Sequence, residues 1–152
     1  MTLQVLAPTS GRVVAMEEVS DPVFAQGLVG PGAALVPDGD GPQDVLSPVD
    51  GRIVKLHPHA FVIVHGSGPG VLVHLGIDTV KLEGEGFTLL HEEGVEVAAG
   101  DPVISWDPAA VRARGLDPVV PVVVMDLAGL ELRTVLDPGA EAHRGQPLLE
   151  IA

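Results

Sequence analysis

One short pattern occurs twice in this chain and limits its fold more than any other feature. Val5-Leu6-Ala7-Pro8-Thr9-Ser10-Gly11-Arg12-Val13-Val14 matches Val45-Leu46-Ser47-Pro48-Val49-Asp50-Gly51-Arg52-Ile53-Val54. In each copy Pro and Gly frame a reversal and β-branched residues follow it, which reads as strand, turn, strand. A second echo lies downstream: Gly94-Val95-Glu96-Val97-Ala98-Ala99-Gly100-Asp101-Pro102-Val103-Ile104 resembles Gly139-Ala140-Glu141-Ala142-His143-Arg144-Gly145-Gln146-Pro147-Leu148-Leu149. Two copies of each are too few for a solenoid. They point to one compact domain over residues 1–152, built from two similar halves.

The remaining sequence follows the same grammar. Nineteen Gly and fourteen Pro among 152 residues punctuate short apolar runs, as frequent tight turns would. Phe61-Val62-Ile63-Val64 and Val71-Leu72-Val73 flank Gly66-Ser67-Gly68-Pro69-Gly70, a hairpin with a longer loop. The runs are continuous more often than alternating, which suits strands covered on both faces. With 46% hydrophobic but 3% aromatic residues, the core must be Val, Leu, Ile and Ala. One short peripheral helix is expected: Asp107 caps it, Pro108 opens it, Ala109 to Arg114 favour it and Gly115 ends it. Gly39 to Pro42 is expected to be a polar loop. The fold class is all-β, an antiparallel sandwich or barrel-like domain with duplicated hairpin motifs and that one helix.

The formal net charge of −13 argues against nucleic acid, whose phosphates demand Lys and Arg, and against anionic lipid. It suits solubility, or steering toward a basic face on a partner protein. The chain has no Cys, hence no disulfides or thiol chemistry of its own. Met1-Thr2-Leu3-Gln4 does not open a signal peptide. The run Val119 to Met125 is too short to span a bilayer and is broken by Pro121. The expected location is the cytoplasm, without membrane insertion.

Six His stand at 57, 59, 65, 74, 91 and 143. His65, His91 and His143 read as surface residues with no partner group nearby. His74 ends an apolar run and precedes Leu75-Gly76-Ile77-Asp78. A His among Val and Leu is most often a hydrogen-bonded core residue. Against that, Gly76 lets the backbone turn under the ring, a nearby carbonyl could fix the tautomer, and His59 opens the adjacent strand as a cross-strand neighbour. Two imidazoles side by side suit two chemistries. In one, a ring nitrogen takes a phosphoryl group and the other ring donates to its oxygens. In the other, both bind Zn²⁺ with a carboxylate or water. His57-Pro58-His59 and the His74-to-Asp78 interval have ligand-like spacing, but such short patterns are weak.

A larger ordered set bears on this choice. It comprises Ser47-Pro48-Val49-Asp50-Gly51, His59-Ala60-Phe61, Val73-His74-Leu75-Gly76-Ile77-Asp78-Thr79-Val80 and Leu82-Glu83-Gly84-Glu85-Gly86-Phe87. Glu93-Gly94, Gly100-Asp101 and Pro121-Val122-Val123 continue it, and Ala7-Pro8, Ser10-Gly11, Asp21 to Ala25 and Val29-Gly30 precede it. Together these residues resemble the glucose-type IIA component of the bacterial phosphoenolpyruvate-dependent sugar phosphotransferase system, over nearly the whole chain. The resemblance implies an antiparallel sandwich of the duplicated hybrid motif type. It implies that His74 is phosphorylated, that His59 supports the phosphoryl group, and that the Gly76 carbonyl orients the His74 ring. Asp21 and Asp78 match acidic residues that receive the phosphocarrier, and Val23, Phe24, Leu28 and Leu72 match the apolar rim. The implied partners are the histidine phosphocarrier protein and a IIB domain of a sugar permease, with regulated permeases or kinases as further targets. No cofactor is required.

The chain departs from the family pattern upstream of His59. A Thr usually stands two residues before it, in a longer segment; here His57-Pro58 does. Either His57 substitutes in part for that polar role, or the role is lost. The chain also starts almost at its first strand, so the membrane-touching N-terminal extension of some members is not implied. Three alternatives remain: a purely regulatory binding protein, an inert sandwich with two core histidines, and a zinc hydrolase of related architecture using His59 and His74. Such hydrolases usually place HxxxD before HxH, the reverse of the order here.

Overall fold

The computed structural model describes residues 2–38 and 41–152; the loop expected at Gly39 to Pro42 lies partly outside them. In chain order the strands are β1 (Leu3–Leu6), β2 (Gly11–Ala15), β3 (Gly32–Pro37), β4 (Gln43–Leu46), β5 (Gly51–His57), β6 (Ala60–Val64) and β7 (Gly70–His74). Then come β8 (Phe87–Leu89), β9 (Glu96–Val97), β10 (Pro102–Trp106), β11 (Val120–Met125), β12 (Leu132–Thr134), β13 (Glu141–Ala142) and β14 (Pro147–Ile151). Eight of them form one sheet in the order β13-β2-β3-β11-β7-β6-β5-β9, and two three-stranded sheets have the orders β1-β14-β12 and β4-β10-β8. The strand pairs are antiparallel. The expected all-β class and the β6–β7 hairpin are therefore found.

The inner face of the large sheet packs against both small sheets. Val13, Leu35, Phe61, Ile63, Val71, Val73 and Val122 from the former share one buried cluster with Val5, Ile104, Trp106, Leu148 and Ile151 from the latter. Side chains alternate across a strand, so burying Val71 and Val73 inward turns Leu72 and His74 to the outer face. That face is not left to solvent. Val14, Ala34, Val119 and Val123 carry a second buried cluster with Met16, Val19 and Phe24. Strands covered on both faces explain the continuous apolar runs, and each fully buried Val, Leu or Ile stabilises the fold by roughly 1.5–3 kcal/mol.

Met16, Val19 and Phe24 belong to the connection between β2 and β3, which contains a helix the sequence reading did not anticipate: α1 (Pro22–Ala25). Its start signal is the one that identified the second helix, α2 (Pro108–Ala113). In both, an Asp caps the backbone and Pro takes the first helical position: Asp21 accepts from Val23 N, Asp107 from Ala109 N and Ala110 N. One peripheral helix thus becomes two, because α1 is a single turn held by Phe24 rather than by propensity.

Backbones in the large sheet approach closely where β3 meets β11. A Cβ on Gly32 would stand 1.9 Å from the Val122 carbonyl oxygen, whereas one on Gly66, in the β6–β7 loop, would meet nothing within 4 Å. Gly32→Ala is expected to destabilise the chain by about 3 kcal/mol, since strand backbones cannot part locally. Gly66→Ala should stay within about 0.5 kcal/mol of wild type. Denaturant midpoints of the two variants check this.

Candidate functional site

His74 is the last residue of β7 and lies directly opposite Ala60, the first of β6. The small Ala60 side chain leaves room beside the imidazole. His59 precedes Ala60, but in the Pro58-His59 turn and not in the strand as expected, because β5 and β6 are joined by only those two residues and His57 already pairs with Ala60. Pro58 fixes its own φ near about −65°, and neither turn residue has positive φ. The turn therefore lacks the twist that best matches a hairpin, and β5 carries a register irregularity between Ile53 and Lys55. The Leu75 N–H donates to the His59 carbonyl at 2.7 Å, tying the turn to the end of β7. The two rings meet edge to face, 5.3 Å between centroids at 73°.

The backbone after His74 is held from several sides. Gly76 N donates to Val119 O at 3.0 Å, Ile77 N to Asp117 O at 2.8 Å, and Thr79 Oγ1 to Leu75 O at 2.7 Å. Gly76 has φ +81°, and a Cβ there would lie 2.6 Å from Thr79 Cγ2 and 3.0 Å from the Asp117 carbonyl oxygen. Only glycine fits this turn without strain. The turn brings the Gly76 carbonyl oxygen to 2.6 Å from His74 Nδ1. A carbonyl can only accept, so Nδ1 carries the proton and Nε2 keeps its lone pair.

Phe24, buried on α1, meets the His74 ring at 5.2 Å and 60°. Asp21, the cap of α1, and Asp78, in the left-handed region at φ 60°, both act electrostatically on His74. Burial is the largest influence and moves the His74 pKa below its ordinary 6.5, against the Gly76 hydrogen bond and the charges of Asp21 and Asp78, which raise it. His59 is likewise lowered, first by burial and then by repulsion from His74 and His57. His57 itself is exposed and stacks on His59, 5.7 Å between centroids at 23°.

The other expected site residues divide by exposure. Leu72 is half-buried and packs on the outer-face cluster, whereas Val23 and Leu28 are exposed, Leu28 at 71%. Val80, 61% exposed in the turn after Asp78, is an apolar surface residue that the sequence reading did not assign to the rim. Its signal was position: two residues beyond Asp78 and outside any strand pattern. His143 is exposed and His91 half-buried. His65 differs from expectation in having a partner, since Ser67 Oγ lies 2.7 Å from its Nδ1 and Ser67 N donates to the same atom at 3.1 Å.

A half-buried imidazole with a fixed Nδ1–H, a lone pair left on Nε2 and a second imidazole beside it is equipped to take and release an electrophilic group. Residues 3–130 match the family model described as phosphoenolpyruvate-dependent sugar phosphotransferase system, EIIA 1. The chain belongs to this family. It is a phosphotransferase component, a phosphoryl carrier of a sugar phosphotransferase system.

Relatives of the EIIA family agree. The chain is 42% identical over 144 residues to a glucose-specific EIIA component of Bacillus cereus, covering 93% of this chain and 84% of the relative. It is 45% identical over 125 residues to a glucose-specific EIICBA component of Streptococcus pneumoniae, covering 81% of this chain but only 17% of that longer protein. Two multidomain EIIBCA components of Corynebacterium glutamicum are likewise matched over 18% of their length. The solved glucose permease IIA of Mycoplasma capricolum superposes with a TM-score of 0.87 at 32% identity, covering 99% of this chain and 96% of that one. The M23 metalloprotease pseudoalterin shares the fold alone, with a TM-score of 0.52 at 9% identity over 98% of this chain and 95% of its own.

The zinc reading of His59 and His74 gains no support. Among the described residues, no three His, Asp or Glu side chains group so as to hold a metal ion, and two imidazoles leave a tetrahedral ion two ligands short. No helix among the described residues is long and apolar enough to cross a membrane.

Two outcomes are expected in this EIIA chain. Gly76→Ala moves the carbonyl away from Nδ1, so ¹⁵N spectra of the His74 ring should change from a single Nδ1–H form to mixed tautomers. Stability depends on pH because the unfolded histidines take protons near pH 6.5, which the folded chain refuses until its lowered pKa values are reached. Stability should therefore fall as pH drops from about 7.5 through 6.5 and level off below the folded pKa values. A His59→Gln, His74→Gln double variant should flatten that slope in denaturant titrations.

Proposed function

We propose that residues 1–152 act as one IIA unit, in which His74 accepts a phosphoryl group from the histidine phosphocarrier protein and passes it to a cysteine of a IIB sugar-transporter domain. The observation that carries this reading is the 2.6 Å contact between His74 Nδ1 and the Gly76 carbonyl oxygen. It fixes the tautomer whose Nε2 lone pair is the nucleophile.

In the first step Nε2 forms a bond to phosphorus as the donor histidine's N–P bond breaks, and the donor nitrogen keeps that electron pair. In the second, a IIB thiolate forms the S–P bond while the Nε2–P bond breaks and its electron pair returns to His74. Such transfers need in-line positioning and donors for the equatorial oxygens more than covalent help. His59 supplies a donor beside the phosphoryl group. Burial keeps His74 neutral near pH 7, which preserves the lone pair.

The surroundings suit protein partners. Exposed Val23 and Leu28, with Phe24 and Leu72 beneath, form an apolar rim that can exclude water when a partner docks. Asp21 and Asp78 flank it, and the net charge of −13 favours a basic donor face. The fused EIICBA and EIIBCA relatives support a IIB acceptor, and a cytoplasmic location follows from that pairing.

Incubation with phosphorylated histidine phosphocarrier, followed by ³¹P NMR, tests the relay. Wild type should gain an acid-labile phosphohistidine, and His74→Gln should gain none. His59→Gln should still accept but transfer to a IIB domain more than tenfold more slowly. Absence of phosphoryl uptake by wild type would overturn the reading.

A further inference from the structure

Three imidazoles stand in series on this surface, and only two have a place in the relay. His57 and His59 stack at 5.7 Å and 23°, and His59 meets His74 at 5.3 Å and 73°. His57 lies farthest out and is exposed. We propose that His57 is a positioning residue for phosphoryl release, its ring lying on His59 and holding that imidazole across His74. This rests on the relay reading above and adds a role for a side chain which that reading leaves idle.

The local backbone is built to make this contact. Residues 57 and 59 are two apart, and the rigid Pro58 between them turns both rings into one stack. Pro58 is itself backed by the loop after the Thr79–Leu82 turn: a Cβ on Gly84 would reach 3.4 Å from Pro58 Cγ. The β5 end is fixed by Glu93, whose carboxylate accepts from Leu56 N at 3.2 Å. His59 occupies the turn, so no residue paired with it across a sheet fixes its side chain. A ring free to rotate there would spend less time in the orientation that donates to a phosphoryl group on His74.

A stack and a hydrogen bond predict opposite substitution patterns. His57→Phe keeps a ring and loses every polar atom; His57→Thr keeps a polar atom and loses the ring; His57→Ala loses both. Each variant is phosphorylated by the histidine phosphocarrier, mixed with a IIB domain and quenched at intervals. His57→Phe is expected to release within about twofold of wild type, while His57→Ala and His57→Thr release about tenfold more slowly with unchanged acceptance. In NMR spectra of the unphosphorylated protein, His59 ring protons should lose the part of their ring-current shift that residue 57 supplies in His57→Ala and keep it in His57→Phe. Wild-type release by His57→Ala, or by His57→Thr with a slow His57→Phe, would overturn the proposal. Since His57 is exposed, thermal midpoints should not move, so slow release would not come from unfolding. Failure of wild type to accept phosphoryl at all would sink the relay itself, whereas the ring-current result tests the stack without it.

Discussion

Two reciprocal hydrogen bonds tie the halves of this protein together. Leu6 N donates to Pro48 O and Leu46 N donates to Pro8 O, both at 2.9 Å. Each repeated turn thus satisfies a backbone donor of the other. The same reciprocity extends outward: Ala7 N to Gln146 O and Ser47 N to Asp101 O are both 2.8 Å, and Gly145 N to Ala7 O and Gly100 N to Ser47 O are both 2.9 Å. The first echo in the sequence is thereby stitched to the second, crosswise. The order of the large sheet reads as mirror-related strands about the β11–β7 pair, with β2 and β5, β3 and β6, and β13 and β9 in matching places. Buried backbone donors must be paired, so neither half can pair these groups without the other.

A symmetric scaffold would offer two similar surfaces, and the candidate site lies where two equivalent connections differ. β5 passes to β6 through Pro58-His59 alone, whereas β2 passes to β3 through residues 16–31. The short connection places His59 beside the end of β7. The long one folds over the outer face of the sheet and sets Phe24 against His74. The site therefore draws on both halves: a histidine and its carbonyl from the sheet centre, a second histidine from one hairpin, and an apolar cover with Asp21 from the other.

The same division decides what the sequence discloses. The echoes are legible because Gly is obligatory where backbones approach closely, as at Gly11, whose Cβ would lie 2.1 Å from Val36 O. Gly76 beside His74 is legible as a turn, since no other residue tolerates that φ among such close neighbours. α1 is much less so: one turn of Pro22–Ala25 has almost no periodicity, and its only mark is the Asp-Pro pair it shares with α2. The position of His59 in a turn instead of a strand depends on register, which a bulge between Ile53 and Lys55 shifts by a residue. The stacking of His57 depends in turn on that displacement. Pattern alone placed the imidazoles near one another; the order of the three rings comes from packing.

The electrostatics of the site reflect competing demands on His74. In the proposed relay the chain must attract a basic donor, which favours carboxylates such as Asp21 and Asp78 near the rim. Those same charges favour protonation of His74 and so work against the lone pair that the transfer needs. Burial opposes them and is the larger effect. It acts through Phe24 and the outer-face cluster, and those apolar groups also give a docking partner a dry surface. The Gly76 carbonyl adds to the raising side, yet it directs the proton to Nδ1 and leaves Nε2 as the only nucleophilic atom of the ring. In the proposed relay the apolar cover thus serves two ends, protonation state and docking, whereas each carboxylate helps one and hinders the other. The acids are placed to temper their pull on the ring: Asp78 lies at the surface, and the carboxylate of half-buried Asp21 is partly occupied by the Val23 N–H at 2.8 Å.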